Sequence, residues 1–198
     1  MAKKPEPRPF SDAVYKALTG RTRKLETGSI SDRIAFLEKK HGSLSAVAKE
    51  TGISRSTLRR WKDGKAKPKP ATEKKVARAL RETLVPEGRR KRVRNSTGRP
   101  DYGPKTPTGP GSGNQKALHG GITITADVAI SSDQRANRRL YLGQNLDDLT
   151  GAELITAFLA GDDARVDQII NQALGSYFGS PAGWEITHVT DISFWPIK

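Results

Sequence analysis

The segment that most restricts the fold of this chain is GSLSAVAKETGISRSTLRRWKDGKAKPKP, which covers residues 42 to 70. It contains a small residue, Ala48, and four positions later Gly52, which can adopt the left-handed conformation of a tight turn without steric cost. An apolar residue, Ile53, follows the glycine, and Leu58 falls on one face of a second helical stretch whose arginines fall on the other. This order predicts a helix-turn-helix, whose second helix enters the major groove of DNA.

The charge of the chain is divided between its two halves. Residues 1–99 hold 28 Lys and Arg against 10 Asp and Glu, whereas residues 100–198 hold 7 against 11. A basic block joined to a mildly acidic one indicates a polyanion-binding half and a half with a different task. A generally basic, solvated surface is the alternative, but it would not stop near residue 100. The charge pattern therefore favours nucleic acid as the partner of the first half.

The composition of the chain argues against several other classes of protein. The chain has no cysteine, so it has no disulfide framework and no thiolate metal site. No apolar run approaches the roughly 18 residues of a membrane span, and the first ten residues do not resemble a secretory signal. The three histidines are too scattered for a spaced ligand pair, and GPGSG lacks the lysine of a phosphate loop. We expect a soluble cytoplasmic protein of the nucleoid, with no membrane partner, no metal, no cofactor and no catalytic site of its own.

Local composition divides the chain into four segments. Residues 1–28 form a basic segment with a short helix capped by Ser11, and residues 29–88 form the helix-turn-helix domain, whose last helix is expected to open at Thr72. Residues 89–118 are basic and then rich in Gly and Pro, which predicts a flexible linker. Residues 119–198 show strand-like alternation in GITITADVAI, a strand candidate in RRLYLGQNL, two helical stretches, the first capped by Thr150 with Glu153, and a final strand. The predicted fold class is α+β, with the C-terminal elements in the order β-β-α-α-β.

The predicted DNA contacts fall in two groups. On the second helix and in the turn after it, Arg55 and Arg59 are placed to read guanine, while the four lysines are placed to meet phosphates. This first group comprises Arg55, Ser56, Arg59, Arg60, Lys62, Lys65, Lys67 and Lys69. The second group is a flexible basic arm that comprises Arg89, Arg90, Lys91, Arg92 and Arg94. The alternatives are an ordinary three-helix bundle with basic solvent-facing residues and a solvated linker.

Taken together, several motifs point to one family. The helix-turn-helix segment and basic run are followed by GGITIT, by RRL and finally by ITHVTDISFW. This combination resembles the telomere-protecting terminal proteins (Tpg-type) of linear actinobacterial chromosomes and plasmids, over roughly residue 31 to the C-terminus. The resemblance implies protein-primed DNA replication, in which a side-chain hydroxyl accepts the first nucleotide and stays covalently attached to the 5′ end. It also implies three partners: telomeric DNA ends with a folded single-strand overhang, a DNA polymerase and a telomere-associated protein.

The resemblance also implies where the acceptor hydroxyl lies. In the family it is a threonine in the loop between the GGIT and RRL strands, and the matching segment here, ISSDQRANRRL, offers Ser131 and Ser132 instead. Thr123 and Thr125 are the runners-up. A turn stabilised by the serine hydroxyls is the structural alternative for this segment. The competing function is a helix-turn-helix transcription repressor with a C-terminal dimerisation domain, and a homo-oligomer is left open under either function.

Overall fold

The computed structural model describes residues 9–94, 121–130, 133–141, 148–178 and 184–195. Within these residues it contains seven helices before the sheet and two helices inside the β-β-α-α-β unit. The helices are α1 (Pro9–Thr19), α2 (Lys24–Thr27), α3 (Ile30–His41), α4 (Leu44–Thr51), α5 (Arg55–Lys62), α6 (Pro70–Leu84), α7 (Glu87–Arg94), α8 (Asp148–Ala160) and α9 (Asp163–Phe178). The strands are β1 (Gly121–Ile130), β2 (Asp133–Tyr141) and β3 (Trp184–Trp195).

Two helix starts differ from the sequence prediction. Helix α1 begins at Pro9, so Ser11 lies inside the first turn and is not the N-cap. The backbone N–H of Ser11 donates to Asp167 Oδ1 on α9 at 2.7 Å. Helix α6 begins at Pro70 and not at Thr72. Proline is favoured in a first helical turn because the N–H that it lacks would have no partner there.

The start of α8 also differs. The helix begins at Asp148, which places Thr150 inside the first turn and not at the N-cap. Glu153 accepts hydrogen bonds from the guanidinium of Arg165 on α9, including one of 2.8 Å from Nε, so this side chain joins two helices. The predicted pairing of Thr150 with Glu153 as a capping box is therefore wrong.

Part of the predicted linker is helical. Residues 89–94 lie in α7, where Val93 is completely buried and the guanidinium of Arg89 donates to the carbonyl of Leu18. The carbonyl of Pro86 accepts the N–H of Arg89 at 2.8 Å, which starts the helix. The interpretation of residues 89–94 as a flexible arm is corrected by these contacts, and residues 95–118 lie outside the described residues.

The three strands form an antiparallel sheet in the order β2-β1-β3. Alternate residues of β1 are buried in the core: Ile122, Ile124, Ala126 and Val128. The second strand spans Asp133–Tyr141, whereas the sequence predicted it over residues 138–146 with a loop before it. Most of that predicted loop is therefore strand. The α+β fold class and the order β-β-α-α-β are confirmed.

A β-bulge interrupts the pairing of β1 with β2. Ala126 pairs with Arg138 and Val128 pairs with Arg135, so two residues of β2 lie opposite Asp127 alone. One of them, Asn137, has a φ of 54°, and its N–H donates to Asp127 Oδ1 at 2.8 Å. Asparagine tolerates this left-handed conformation better than most side chains do.

The buried apolar residues of both halves belong to one continuous core. Helix α1 packs against α9 and β3, and α6 and α7 both pack against α8. The first predicted segment is therefore in contact with the last. The boundaries at residues 28, 88 and 118 stay predictions, but the described elements on either side of them share their packing.

A buried ion cluster joins α6 to the C-terminal helices. Arg81 is 1% exposed, and its guanidinium donates to the carbonyl of Phe158, to Glu26 Oε1 from Nε at 2.8 Å and to Asp163 Oδ1 at 3.3 Å. Arg23 donates to the same Asp163 oxygen at 3.0 Å. Asp163 is therefore a buried ion-pair partner, and Asp162 is the residue that caps α9.

The surroundings of this cluster shift the pKa values of two side chains, Asp163 and Tyr15. Burial by itself raises the pKa of Asp163, but hydrogen bonds from Arg23 and the charges of Arg23 and Arg81 outweigh it, so the pKa lies below its ordinary value. Burial, together with the negative charge of Glu26, raises the pKa of Tyr15 to about 12. Asp163 is thus held ionised inside the protein.

We expect Asp163 to make the fold acid-sensitive. Its pKa is lower in the folded than in the unfolded chain, so its contribution to stability is complete above about pH 4 and is lost as pH falls through the folded value. The difference in unfolding free energy between the wild type and Asp163→Asn should therefore shrink below pH 4, as urea titrations at several pH values would measure. A difference that stays constant down to pH 2 would show that the charge of Asp163 contributes nothing.

Candidate nucleic-acid interface

Helices α4 and α5 meet at a tight turn. Ser43 Oγ accepts the N–H of Ala46 at 3.2 Å at the start of α4, and the helix ends at Gly52, whose φ is 66°. Beyond the adjoining backbone, no atom lies within 4 Å of the position that a Cβ would take at Gly52, so the backbone conformation and not the space selects glycine there. Ile53, 7% exposed, follows the turn and belongs to the core. The turn therefore has the form that the sequence predicted.

Helix α5 is fixed by its cap and by two apolar anchors. Ser54 Oγ accepts the N–H of Thr57 at 3.2 Å, which satisfies one of the unpaired donors at the helix start. Leu58 is completely buried and Trp61 is 6% exposed. The opposite face of α5 is thereby turned to solvent.

The exposed face of α5 carries the predicted base-reading residues. Arg55 and Arg59 are both exposed and lie one helical turn apart, as do Ser56 and Arg60 beside them. Among the described residues, no carboxylate lies within ion-pair distance of Arg55 or Arg59. Free guanidinium groups at this spacing can make bidentate hydrogen bonds to guanine in the major groove.

The four lysines that the sequence predicted as phosphate contacts differ in their exposure and in their ion pairs. Lys62 is half-buried, and its Nζ lies 2.6 Å from Glu38 Oε2 on α3. Lys65 is exposed, with its Nζ 3.7 Å from Asp63 Oδ2, and Lys67 and Lys69 are exposed in the turn before α6. Lys62 would have to leave Glu38 to reach a phosphate, whereas the other three lysines are exposed to solvent.

The second predicted group of contacts lies on α7. Arg89 is held by the Leu18 carbonyl, and Arg90 Nε lies 3.2 Å from Glu87 Oε2 within the same helix. Lys91 is exposed, and the side chains of Arg92 and Arg94 lie outside the described residues. Deleting the whole group would also remove Val93 from the core, so single substitutions are the cleaner test of this surface.

The candidate acceptor hydroxyls fall in different places. Ser131 and Ser132 lie outside the described residues, between the paired residues Ile130 and Asp133 that end the β1–β2 ladder. Thr123 and Thr125 are two residues apart in β1 and so share the face opposite the apolar one. Thr123 is 6% exposed and Thr125 is half-buried.

Neither a metal site nor a membrane-spanning helix is found among the described residues. No group of three or more Asp, Glu and His side chains there could hold a metal ion. No helix among the described residues is both long enough and apolar enough to cross a bilayer.

Comparison with known proteins agrees with this geometry over one part of the chain. A helix-turn-helix family (HTH_3) matches residues 34–85, which run from α3 to the end of α6. Residues 34–85 form a DNA-binding domain. Neither a curated protein nor a solved structure gives a significant match to the chain. We expect this domain to bind DNA through the exposed face of α5, because the opposite face is buried in the core.

We expect Arg55 and Arg59 to determine sequence specificity. Replacing either with Ala should weaken binding to a cognate site by about 1–3 kcal/mol and reduce discrimination at one base position. Competition binding against a panel of single-base variants of the site would measure both effects. Lys49→Ala, an exposed residue of α4, is the comparison. Equal weakening on every DNA sequence would show that these arginines contact phosphates only.

Proposed function

We propose that this DNA-binding protein is a terminal protein, which supplies a hydroxyl as the primer for DNA synthesis at the ends of a linear replicon. The observation that supports the proposal is the β1–β2 hairpin. Its last paired residues are Ile130 and Asp133, and the chain between them consists of Ser131 and Ser132. Two hydroxyl groups thus lie in the segment that connects the strands, where the resemblance to terminal proteins expects the acceptor.

The proposed reaction is a nucleotidyl transfer. The serine oxygen attacks the α-phosphorus of a deoxynucleoside triphosphate, a phosphoester bond forms, and the bond to the β-phosphate bridging oxygen breaks. Pyrophosphate leaves, and the hydroxyl proton passes to a base in the polymerase or to water. The metal ions of the polymerase activate the hydroxyl, so this chain needs no base of its own.

The proposal assigns a task to each half of the chain. The helix-turn-helix domain holds the protein on the telomeric end and its folded single-strand overhang, and the sheet presents the acceptor to a DNA polymerase. A telomere-associated protein would assist recruitment, and the protein would act in the nucleoid. In this account the chain is a substrate of the polymerase and not an enzyme.

A second candidate function rests on the same DNA-binding surface. A transcription repressor would also use Arg55 and Arg59 in a major groove, and its C-terminal unit would join two copies of the chain. Such dimers bind palindromic sites whose half-sites lie about one helical turn apart. The repressor predicts a reversible complex with duplex DNA, whereas the terminal protein predicts a covalent bond to a nucleotide.

One experiment separates the two functions. The full chain is incubated with α-labelled deoxynucleotides, template ends and a polymerase-containing extract of the source cells, then boiled in detergent and separated by electrophoresis. Label that stays with the protein after denaturation and nuclease treatment supports the terminal protein. Label that is absent while the chain forms reversible complexes with a palindromic duplex supports the repressor.

A further inference from the structure

The exposed edge of the sheet carries a second cluster of basic side chains. Arg135, Arg138 and Arg139 are all exposed on β2, and we call them the β2 arginine strip. We propose that the β2 arginine strip is a second DNA contact, which binds the phosphate backbone of DNA that flanks the site read by α5. This inference does not depend on the priming function.

The distribution of charge in the C-terminal half singles out this strand. Residues 121–195 contain four Lys and Arg in total, and three of them are the β2 arginine strip. The fourth, Arg165, lies on α9. In a half that is acidic overall, the sheet edge is therefore the positively charged feature, and a polyanion is the partner that this charge fits.

The β-bulge arranges two of the arginines. In a regular strand, residues three apart point to opposite faces of the sheet. Here the extra residue places Arg135 opposite Val128 and Arg138 opposite Ala126, so both lie on the face of β1 that carries its apolar residues, whereas Arg139, opposite Thr125, lies on the other face of the edge strand. Asn137 supplies the left-handed conformation that the bulge needs, and Asp127 holds its N–H. The bulge thus places the backbone positions of Arg135 and Arg138 opposite residues that are about 7 Å apart along β1, a spacing that suits an extended phosphate backbone.

The position of β2 leaves the strip accessible. Strand β1 is paired on both sides, and β3 packs against α1 and α7, so β2 is the edge farthest from these helices. Charged side chains on an edge strand also prevent its pairing with other chains, and this protective role is the alternative to a DNA contact. The two roles predict different results when the charges are removed.

The helix-turn-helix domain strengthens the case for DNA as the occupant. Once α5 holds a site, flanking DNA is tethered to the same protein at a high effective concentration, so even weak phosphate contacts add to affinity. Backbone contacts of this kind carry no sequence information and depend strongly on salt. The strip should therefore act on flanking DNA of any sequence.

The test compares three variants of the full chain. In the first, Arg135→Gln, Arg138→Gln and Arg139→Gln are combined; in the second, the same arginines become lysines. The control combines Lys16→Gln, Lys24→Gln and Lys39→Gln, which removes three exposed charges from α1, α2 and α3. Each protein is titrated with a short duplex that contains only the α5 site and with a duplex extended on both sides, at 50–300 mM salt.

A phosphate contact by the β2 arginine strip predicts different results for the two arginine variants and the two duplexes. The glutamine variant should bind the extended duplex about tenfold more weakly, with a salt slope reduced by about 2 to 3, and should bind the short duplex as the wild type does. The lysine variant should retain the wild-type slope. Equal losses of affinity for the extended duplex in the glutamine variant and in the control variant would overturn the proposal. A glutamine variant that self-associates and binds both duplexes as the wild type does would also overturn it, because that result identifies an edge-protecting role. No nucleotide or polymerase is present, so a failed priming reaction cannot be mistaken for either result.

Discussion

Replacing Asp163 with Asn is expected to lower the free energy of unfolding by about 3–5 kcal/mol, the range for removing one partner of a buried ion pair. The reason is the environment of Arg81, which is 1% exposed and would keep its charge after the substitution. Glu26 would remain as its only carboxylate partner among the described residues, while Arg23 would keep Asp12. Because the Asp12 side chain is 68% exposed, Glu26 would be the one buried carboxylate of the described cluster left to balance two arginine charges.

The neighbouring residue provides the control. Asp162 is exposed and caps α9, with Oδ1 accepting the N–H of Arg165 at 3.0 Å. Asparagine is as good an N-cap as aspartate, so Asp162→Asn should change stability by only a few tenths of a kcal/mol. Urea unfolding of both variants at pH 7 measures the difference. Equal effects at the two positions would contradict the account of the ion cluster.

Converting Ser131 and Ser132 together to Ala is expected to abolish covalent labelling of the protein by deoxynucleotides. The physical reason is that alanine has no oxygen to form the phosphoester bond. Binding to duplex DNA should be unchanged, because neither serine belongs to the α5 surface. The two single variants would then identify the acceptor, and a Ser→Thr substitution at that position should restore labelling.

The threonines of β1 provide the comparison. Thr123 is buried at 6% exposure and so is inaccessible to a polymerase in the folded chain, whereas Thr125 is half-buried. Thr123→Val should leave labelling intact. Labelling that survives in the double serine variant and disappears in Thr125→Val would move the acceptor to β1. If no hydroxyl between residues 119 and 140 affects labelling, the terminal-protein proposal fails and the repressor is favoured.

The sequence predicted the helix-turn-helix well because its signals are local. Ser43 and Ser54 cap helices within three residues, and Gly52 adopts the left-handed conformation in the turn itself. The ion cluster could not be predicted in this way. Glu26, Arg81 and Asp163 are separated by 55 and 82 residues, and they meet because α2, α6 and α9 come together in the tertiary fold.

Helix α7 was missed, and the start of strand β2 was placed too late, for a related reason. Five of the eight residues of α7 are Lys or Arg, so its sequence looks like a solvated run, and the burial of Val93 becomes visible only with the rest of the core. In β2 the bulge at Asn137 shifts the alternation by one residue, and the arginines on both sides of it conceal the strand pattern. Both elements are specified by tertiary contacts more than by local sequence.

The place of Arg81 on α6 has a consequence for how the protein can sit on DNA. Helix α6 completes the helix-turn-helix domain and also holds Phe158 and Asp163 of the C-terminal unit through one guanidinium group. When α5 is fixed in a major groove, the sheet is therefore fixed in rotation about the DNA axis as well. Because the DNA backbone is helical, a sheet held at one angle about the DNA axis faces the same part of the backbone only at intervals of about one helical turn. The spacing between a bound site and a neighbouring DNA end would accordingly be counted in whole turns of the double helix.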